Sequence, residues 1–397
     1  MSAARLSDVV RVLEKRYPPS TAESWDAVGL VTGAPEQPVR RVLFAVDPVA
    51  TVVDEALEWG ADLVVTHHPL LLKGVHSIAA TTFKGDVLHR LVRGGCALLT
   101  AHTNADAATD GVADALAQVL GLVDVEPLLP DPLPTLDKHV VMVPVADAPR
   151  VVDAMAAAGA GAVGAYERCA WTTTGEGTFT PLPGATPAVG TVGTREVVVE
   201  ARVEMVAPRS LRRAVVAAMR AVHPYEEPAF DVLETAALPG GTGTGRVGRL
   251  AEPTTLRDFA QRAADATPAT AQGVRFAGDP DGRVERVAVV GGSGDPFFDA
   301  VRAAGADAYV TADLRHHPAS EQRERAEFDA RPGRPATPYL VDLAHFASEW
   351  PWLRLAARDL AADLQAEGTT VETRVSVRCT DPWTGRVGRT DPRSQPA

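Results

Sequence analysis

Apolar and polar positions alternate along the chain in a way that predicts strands and helices in turn. Short apolar runs such as RVLFAV (41–46) and DLVVT (62–66) predict buried strands, and stretches with helical spacing of apolar residues lie between them. The same alternation returns over residues 286–377. Alternating strands and amphipathic helices indicate a mostly parallel sheet covered on both faces. The sequence therefore predicts an α/β fold with two α/β halves, at residues 1–127 and 245–378.

The two halves share a short sequence, WGADLVVTHHP in the first and AGADAYVTADLRHHP in the second, which suggests that they are related. Residues 128–238 between them show the order β-α-β-β-α-β, which predicts an inserted ferredoxin-like α+β module. We interpret the proline-rich stretch 127–134 as the end of the first half and the glycine-rich stretch 239–245 as a linker. The polar residues 379–397 are expected to form a disordered tail.

Composition narrows the classes of function. The 397 residues carry a net charge of −12, which argues against broad binding to nucleic acid or to anionic membranes. A local basic pocket for a phosphorylated small molecule stays open. Three cysteines without a CxxC pair support neither a disulfide framework nor a cysteine zinc site. No apolar run approaches the length of a membrane span. We expect a cytoplasmic protein.

Histidines and carboxylates cluster directly after three predicted strands, DLVVT, ALLTA and YLVDLA. Because strand ends of an open α/β sheet meet at one edge, these side chains are expected to lie together. A lone histidine there is more simply a surface or capping residue, but three clusters favour a metal site. Nitrogen and oxygen donors without thiolate suit Zn first, with Mn, Fe or Co as alternatives. The predicted ligands, enough for two divalent ions and a bridging carboxylate, are His67, His68, Asp106, His345 and Glu349.

Other polar residues at strand ends could orient a substrate or move protons. The predicted catalytic residues are His102, Asp313 and His317, and the alternative for Asp313 and His317 is an ordinary loop role. The run 291–294 (GGSG) suits either anion binding or a tight turn. Asp47 suits either a contact to a metal ligand or a helix N-cap.

Two further motifs have structural explanations that are at least as good as functional ones. SWDAVGL (24–30) is interpreted as packing and turn chemistry, and HPYEEP (223–228) as structural. No serine-hydrolase elbow, Walker A loop or dinucleotide-binding turn stands at a suitable strand–helix junction. Serine hydrolases, P-loop NTPases and Rossmann dehydrogenases are therefore excluded.

The motifs SWDAVGL, DLVVTHHPLL, AHTNADAATDGVADALA, VGGSG, TADLRHH and LAHFASE, in this order, resemble the GTP cyclohydrolase I type 2 homolog family, also called NIF-three-like proteins. The insert resembles the PII/CutA-like module of longer members. The resemblance implies a dinuclear metal site on the five ligands named above and a ring-shaped homohexamer. TAD at Thr311–Asp313 stands where many members have TGD, which leaves Asp313 in place.

The family name implies conversion of GTP to a dihydroneopterin triphosphate, by hydrolytic attack at C8 of the base and release of formate. Under that hypothesis His317 or His102 would shuttle protons and Arg315 would hold the triphosphate. The same metal pair would equally serve a phosphatase or phosphodiesterase. A third alternative is a non-enzymatic metal-binding regulator or scaffold whose insert senses a small molecule.

Overall fold

The structure is a computed structural model and describes residues 3–330 and 335–387. The chain divides into two compact units, one formed by Met1–Asp131 with Gly241–Ala397 and the other by Pro132–Gly240. None of the helices in the described ranges is long and apolar enough to cross a bilayer.

The first segment of the larger unit contains β1 (Ala4–Arg5), α1 (Leu6–Arg16), β2 (Gly29–Thr32), β3 (Pro38–Val39), β4 (Arg41–Ala45), α2 (Ala50–Trp59), β5 (Leu63–Thr66), α3 (Phe83–Arg93), β6 (Ala97–Thr100), α4 (Thr103–Ala107), α5 (Val112–Val119) and β7 (Leu122–Pro132).

The smaller unit is a four-stranded antiparallel sheet with two helices. Its elements are β8 (Leu136–Pro144), α6 (Ala148–Ala157), β9 (Trp171–Phe179), β10 (Glu196–Pro208), α7 (Arg212–Val222) and β11 (Phe230–Glu234). The strand order is β11-β8-β10-β9, and the helices bury Val151, Met155, Val215 and Met219 in its core. The element order is β-α-β-β-α-β, the order that the sequence predicts for this segment.

The remaining segment completes the larger unit. It contains β12 (Pro239–Thr255), α8 (Leu256–Ala266), β13 (Arg275–Ala277), β14 (Arg283–Ser293), α9 (Phe298–Ala303), β15 (Ala308–Ala312), α10 (His316–Asp329), β16 (Tyr339–Leu343), α11 (His345–Ala366) and β17 (Glu372–Val375).

Two sheets form the larger unit. In the order β17-β4-β5-β6-β2, all neighbours pair in parallel except β2. In the order β13-β16-β15-β14-β12-β7, strands β14, β15 and β16 are parallel and β13 and β12 antiparallel to their partners. Helix α11 contacts β17 of the first sheet and β14 of the second, and its Trp352 is fully buried. An α-helix that is apolar around most of its circumference belongs inside a core. The mixed α/β class predicted from the sequence is confirmed.

Two predicted connections are strands instead. The proline-rich stretch lies largely in β7, and the glycine-rich stretch opens β12. Both boundaries of the smaller unit, at Pro132 and Gly240, nevertheless fall within these two stretches, as the sequence predicts. The reason is packing, because a Cβ on Gly243 would lie 2.1 Å from the carbonyl oxygen of Leu129 in β7. Glycine at this position lets the two backbones approach. Of the tail predicted to be disordered, residues 379–387 contain no helix or strand and residues 388–397 lie outside the described residues. The kinship of the two halves stays a prediction.

Candidate metal centre

The predicted ligands come together at the ends of strands in the larger unit. His67 and His68 follow β5, and Asp106 lies in α4 after β6. His345 begins α11 and Glu349 lies one turn later, so both side chains point to the same side of the helix. Because α11 is packed in the core, it presents these two residues from a buried position. The strand-end placement that the sequence predicts for the ligands is thus what assembles the cluster.

Glu349 lies at the middle of the cluster. Its Oε1 is 3.0 Å from Nε2 of His345 and 3.4 Å from Nε2 of His67, and its Oε2 is 3.0 Å from Nε2 of His68. Oδ1 of Asp106 lies 3.8 Å from Nε2 of His67. One carboxylate therefore reaches three imidazoles through its two oxygens, which is the arrangement needed to bridge two ions.

Four histidines of the cluster are held through the ring nitrogen Nδ1. In each case Nδ1 contacts an oxygen atom at 2.7–3.0 Å, and the pairs are His67 with the carbonyl of Ala101, His68 with Asp47, His102 with Asp26, and His345 with Asp313. An oxygen acceptor at Nδ1 fixes the proton there and leaves the lone pair of Nε2 free to bind a metal ion. The four rings are therefore oriented as metal ligands are.

Two observations test whether this cluster fits metal ions. Among the described residues, His67 Nε2 and Glu349 Oε2 are buried and make no hydrogen bond, although Oε1 of Glu349 lies 3.4 Å from the first atom and Nε2 of His68 lies 3.0 Å from the second. Buried polar atoms are normally satisfied, and a bound cation would satisfy both of these. Two triads also offer donor atoms within 4.8 Å of one another, His67–His68–His102 and His68–His345–Glu349. The residues fit metal ions at these two overlapping groups, with one donor atom from each histidine and two from Glu349.

Because Gly292 has no side chain, Glu349 and His345 can lie directly against its backbone. Gly292 lies near the end of β14 with φ of +66°, and a Cβ there would lie 2.7 Å from Oε1 of Glu349 and 3.3 Å from Nε2 of His345. Its amide donates to Oγ of Ser348 at 2.9 Å, and its carbonyl accepts from Oγ1 of Thr311 at 3.0 Å. The GGSG run therefore forms a wall of the centre rather than a loop after the strand.

Charge within the cluster is strongly coupled. Burial alone would raise the pKa of Glu349, but the surrounding His68, His67 and His345 outweigh it and hold the pKa well below its ordinary value. Burial would lower the pKa of His68, but Glu349 and Asp47 raise it to about 11. Burial raises the pKa of Asp106 to about 6. Because metal ligands must be deprotonated, binding of cations at this cluster would release protons from the histidines.

A cavity of about 550 Å³ opens beside the cluster. His102, Asp106, His345 and Glu349 form the part of its wall that belongs to the candidate metal centre. The volume lies in the range of small-molecule sites. A molecule in this cavity would contact the ligand set directly.

Comparison with known proteins shows the family of this chain. The profile of the DUF34/NIF3 (NGG1p interacting factor 3) family matches residues 4–382. The chain belongs to the DUF34/NIF3 family. A Mycobacterium tuberculosis protein named "GTP cyclohydrolase 1 type 2 homolog" is 50% identical over 96% of this chain and 97% of its own length, and one from Streptomyces coelicolor is 40% identical over 96% and 95%.

Solved structures of this family share the fold. A Bacillus cereus protein related to NIF3 is 35% identical, with a TM-score of 0.67 over 96% of this chain and 99% of its own. A Staphylococcus aureus protein is 28% identical, with a TM-score of 0.77 over 97% and 99%. The resemblance inferred from the sequence motifs is therefore confirmed.

In this DUF34/NIF3 chain, the three predicted catalytic residues have different surroundings. His102 joins the first ligand triad, so its geometry is that of a metal ligand more than that of a proton shuttle. Asp313 is exposed and hydrogen-bonds Nδ1 of His345, so it orients a ligand. His317 is exposed in the first turn of α10, where its ring contacts that of His316. His317 is absent from the described lining of the cavity.

Two other outcomes concern residues that hold their neighbours. Asp26 of the SWDAVGL motif, interpreted from the sequence as turn chemistry, is the carboxylate that orients His102. In the sequence, the only sign of this role is that an aspartate follows the tryptophan of this motif. Of the two roles considered for Asp47, the contact to a ligand is the observed one. Arg315, considered for triphosphate binding, is paired with Asp295 through its side chain and its amide.

Proposed function

We propose that this DUF34/NIF3 chain is a metal-dependent hydrolase with two divalent ions per subunit. The observation that carries the proposal is the set of four imidazoles whose Nδ1 atoms are each engaged by an oxygen, three of which contact the carboxylate of Glu349. The relatives named "GTP cyclohydrolase 1 type 2 homolog" support a hydrolytic class of reaction. The proposed ligands are His67, His68, His102, Asp106, His345 and Glu349.

The donor set supports Zn first, with Mn, Fe or Co as alternatives, because imidazole and carboxylate donors suit all four. When bound, such a pair activates water and polarises a carbonyl or phosphoryl oxygen. Glu349 and Asp106 would hold the ions together with the histidines, and Asp26, Asp47 and Asp313 would fix the orientation of His102, His68 and His345. Proton transfer through His317 stays a prediction.

Several finer expectations remain proposals for this chain. They are a nucleotide or a related phosphorylated small molecule as substrate, a toroidal homohexamer, a cytoplasmic location and a PII/CutA-like character of the insert. The β-α-β-β-α-β order of Pro132–Gly240 supports the last of these, because such modules share that order. The acidic net charge supports partners other than nucleic acid or membranes.

The test begins with metal content by elemental analysis of the full-length protein after reconstitution. We expect about two equivalents per chain for wild type and one or none for Glu349→Gln, because this change removes the charge of the bridging carboxylate. His89→Ala is the control, since His89 is exposed on α3 and outside the cluster. A wild-type protein that takes up no metal would refute the proposal.

Activity assays then separate the classes of function. Metal-dependent pterin fluorescence from GTP would support the cyclohydrolase, and phosphate release from generic esters would support the phosphatase or phosphodiesterase. A metal-loaded protein that is inert with all of these, but whose insert binds a small molecule, would favour the regulator over any hydrolase.

A further inference from the structure

The walls of the cavity beside the metal centre carry chemistry that selects a class of ligand. The described lining contains four carboxylates, one exposed indole ring and one partly buried phenyl ring, and neither lysine nor arginine. These six residues are Glu23, Trp25, Asp106, Asp131, Phe297 and Glu349. Building on the proposed metal-dependent hydrolase, we propose that this cavity accepts a flat, uncharged or cationic ring compound, such as a nucleobase or nucleoside, and repels the polyphosphate of a nucleoside triphosphate.

The charge argument starts at the cluster itself. Five carboxylates contact the histidines of the centre, namely Asp26, Asp47, Asp106, Asp313 and Glu349. Two divalent ions would bring this group close to neutrality. Glu23 and Asp131 then add negative charge to the same cavity, at positions that contact none of the histidine ligands. A tail with about four negative charges would meet like charge on this wall.

The cation that the sequence suggests for phosphates is engaged elsewhere. Arg315 forms an ion pair with Asp295, which is 9% exposed, and its amide also donates to that carboxylate at 3.3 Å. Arg315 does not contribute to the described lining of the cavity. A polyphosphate would therefore have to be held by the metal ions alone, against Glu23 and Asp131.

The aromatic residues supply the attractive part of the site. Trp25 is 58% exposed, and its ring meets that of His102 edge to face at a centroid distance of 5.9 Å. The indole thus stands beside a candidate ligand with much of its surface uncovered. Phe297 lines the same cavity at the start of the segment that follows β14. Exposed aromatic faces bind flat rings by stacking, and stacking does not require charge on the ligand.

The experiment compares nucleosides with their triphosphates on the full-length, zinc-loaded protein by isothermal titration calorimetry. The probes are guanosine, adenosine, GTP, ATP and inorganic triphosphate at constant ionic strength. Metal content is measured again after each titration, so that chelation is not mistaken for binding. We expect at least one nucleoside to bind about tenfold or more tightly than its triphosphate, and inorganic triphosphate to bind most weakly.

Variants assign the effect to the wall. Replacing both acids, Glu23→Lys with Asp131→Lys, should tighten triphosphate binding about tenfold or more while changing nucleoside affinity less than about twofold. Glu58→Lys, which makes the charge change of one of these two substitutions at an exposed position of α2, should change neither the triphosphate affinity nor the nucleoside affinity. Trp25→Ala should weaken nucleoside binding about tenfold.

The outcomes that overturn the inference are distinct from those that overturn the hydrolase. GTP binding to wild type as tightly as guanosine, or triphosphate affinity unchanged by the two lysines, would refute the charge argument. Failure of both nucleosides to bind would refute the ring argument. The hydrolase proposal would be refuted instead by a protein that binds no metal. The same titrations on that metal-free protein would still show whether the cavity prefers nucleosides to triphosphates.

Discussion

Gly292→Ala is the substitution whose effect on the candidate centre follows most directly from the geometry. A Cβ on Gly292 would lie 2.7 Å from Oε1 of Glu349, against 3.4 Å for an ordinary contact, so the carboxylate has to retreat by about 0.7 Å. Metal sites tolerate shifts of about 0.2 Å in ligand position. We therefore expect Gly292→Ala to weaken metal affinity about 10- to 100-fold, a loss typical of misplaced ligands.

The same substitution also strains the backbone, and a second glycine separates the two effects. Gly305 has φ of +65°, nearly that of Gly292, but nothing lies within 4 Å of its ideal Cβ position. Each alanine should therefore cost about 1 kcal/mol of folding stability through its left-handed backbone. Only Gly292→Ala should weaken the affinity for metal.

The assay is competition with a chelator for metal affinity, with urea unfolding of the metal-free variants alongside. Equal metal affinity in Gly292→Ala and Gly305→Ala would refute the assignment of Gly292 as the wall against which Glu349 is placed.

Three further substitutions are predicted from contacts of the described residues. Asp313→Asn should lower metal affinity about tenfold without unfolding the protein, because it weakens the acceptor at Nδ1 of His345, as chelator competition would show. Asp137→Ala should cost about 1–3 kcal/mol in urea unfolding at pH 7, because Asp137 is buried against Arg212. Arg212 lowers the pKa of Asp137, so the stabilisation by this pair is complete above the ordinary carboxyl pKa of about 4 and is lost as the pH falls toward the lowered pKa. An unfolding cost of Asp137→Ala that is equal at pH 7 and pH 3 would contradict this pH dependence. Arg246→Met should cost about 3 kcal/mol, measured by the same unfolding method, because the buried guanidinium holds one carboxylate and three carbonyls.

The alternation of apolar strands and helices was sufficient to predict most elements of the larger unit, because their cores repeat the same local pattern. For instance, the predicted strand 41–46 is β4 (Arg41–Ala45) and the predicted strand 62–66 is β5 (Leu63–Thr66). Residues 239–245 could not be predicted as a strand. Their glycines are poor strand formers, and only the neighbouring β7, more than a hundred residues away, shows why they are needed.

The ligands could be predicted from the sequence because each follows a recognisable strand. The carboxylates that orient them could not be predicted, since Asp26 and His102 are separated by 76 positions and Asp313 and His345 by 32. Such pairs depend on tertiary packing, which periodicity does not encode. The same limit applies to the position of His317. The sequence suggests a polar residue after a strand, whereas the structure places it in the first turn of α10.

The spread of the ligands along the chain has a consequence for how metal binding and folding are coupled. His68 and His345 lie 277 positions apart, yet their Nε2 atoms are 3.2 Å from each other. Asp47, Asp313 and Glu349 lie against these two imidazoles and offset their charge. The carboxylates that orient the ligands therefore also lower the electrostatic cost of bringing the two imidazoles together. Because the folded chain assembles ligands that the unfolded chain keeps far apart, metal should stabilise the fold by about 2.7 kcal/mol at a hundred times its dissociation constant.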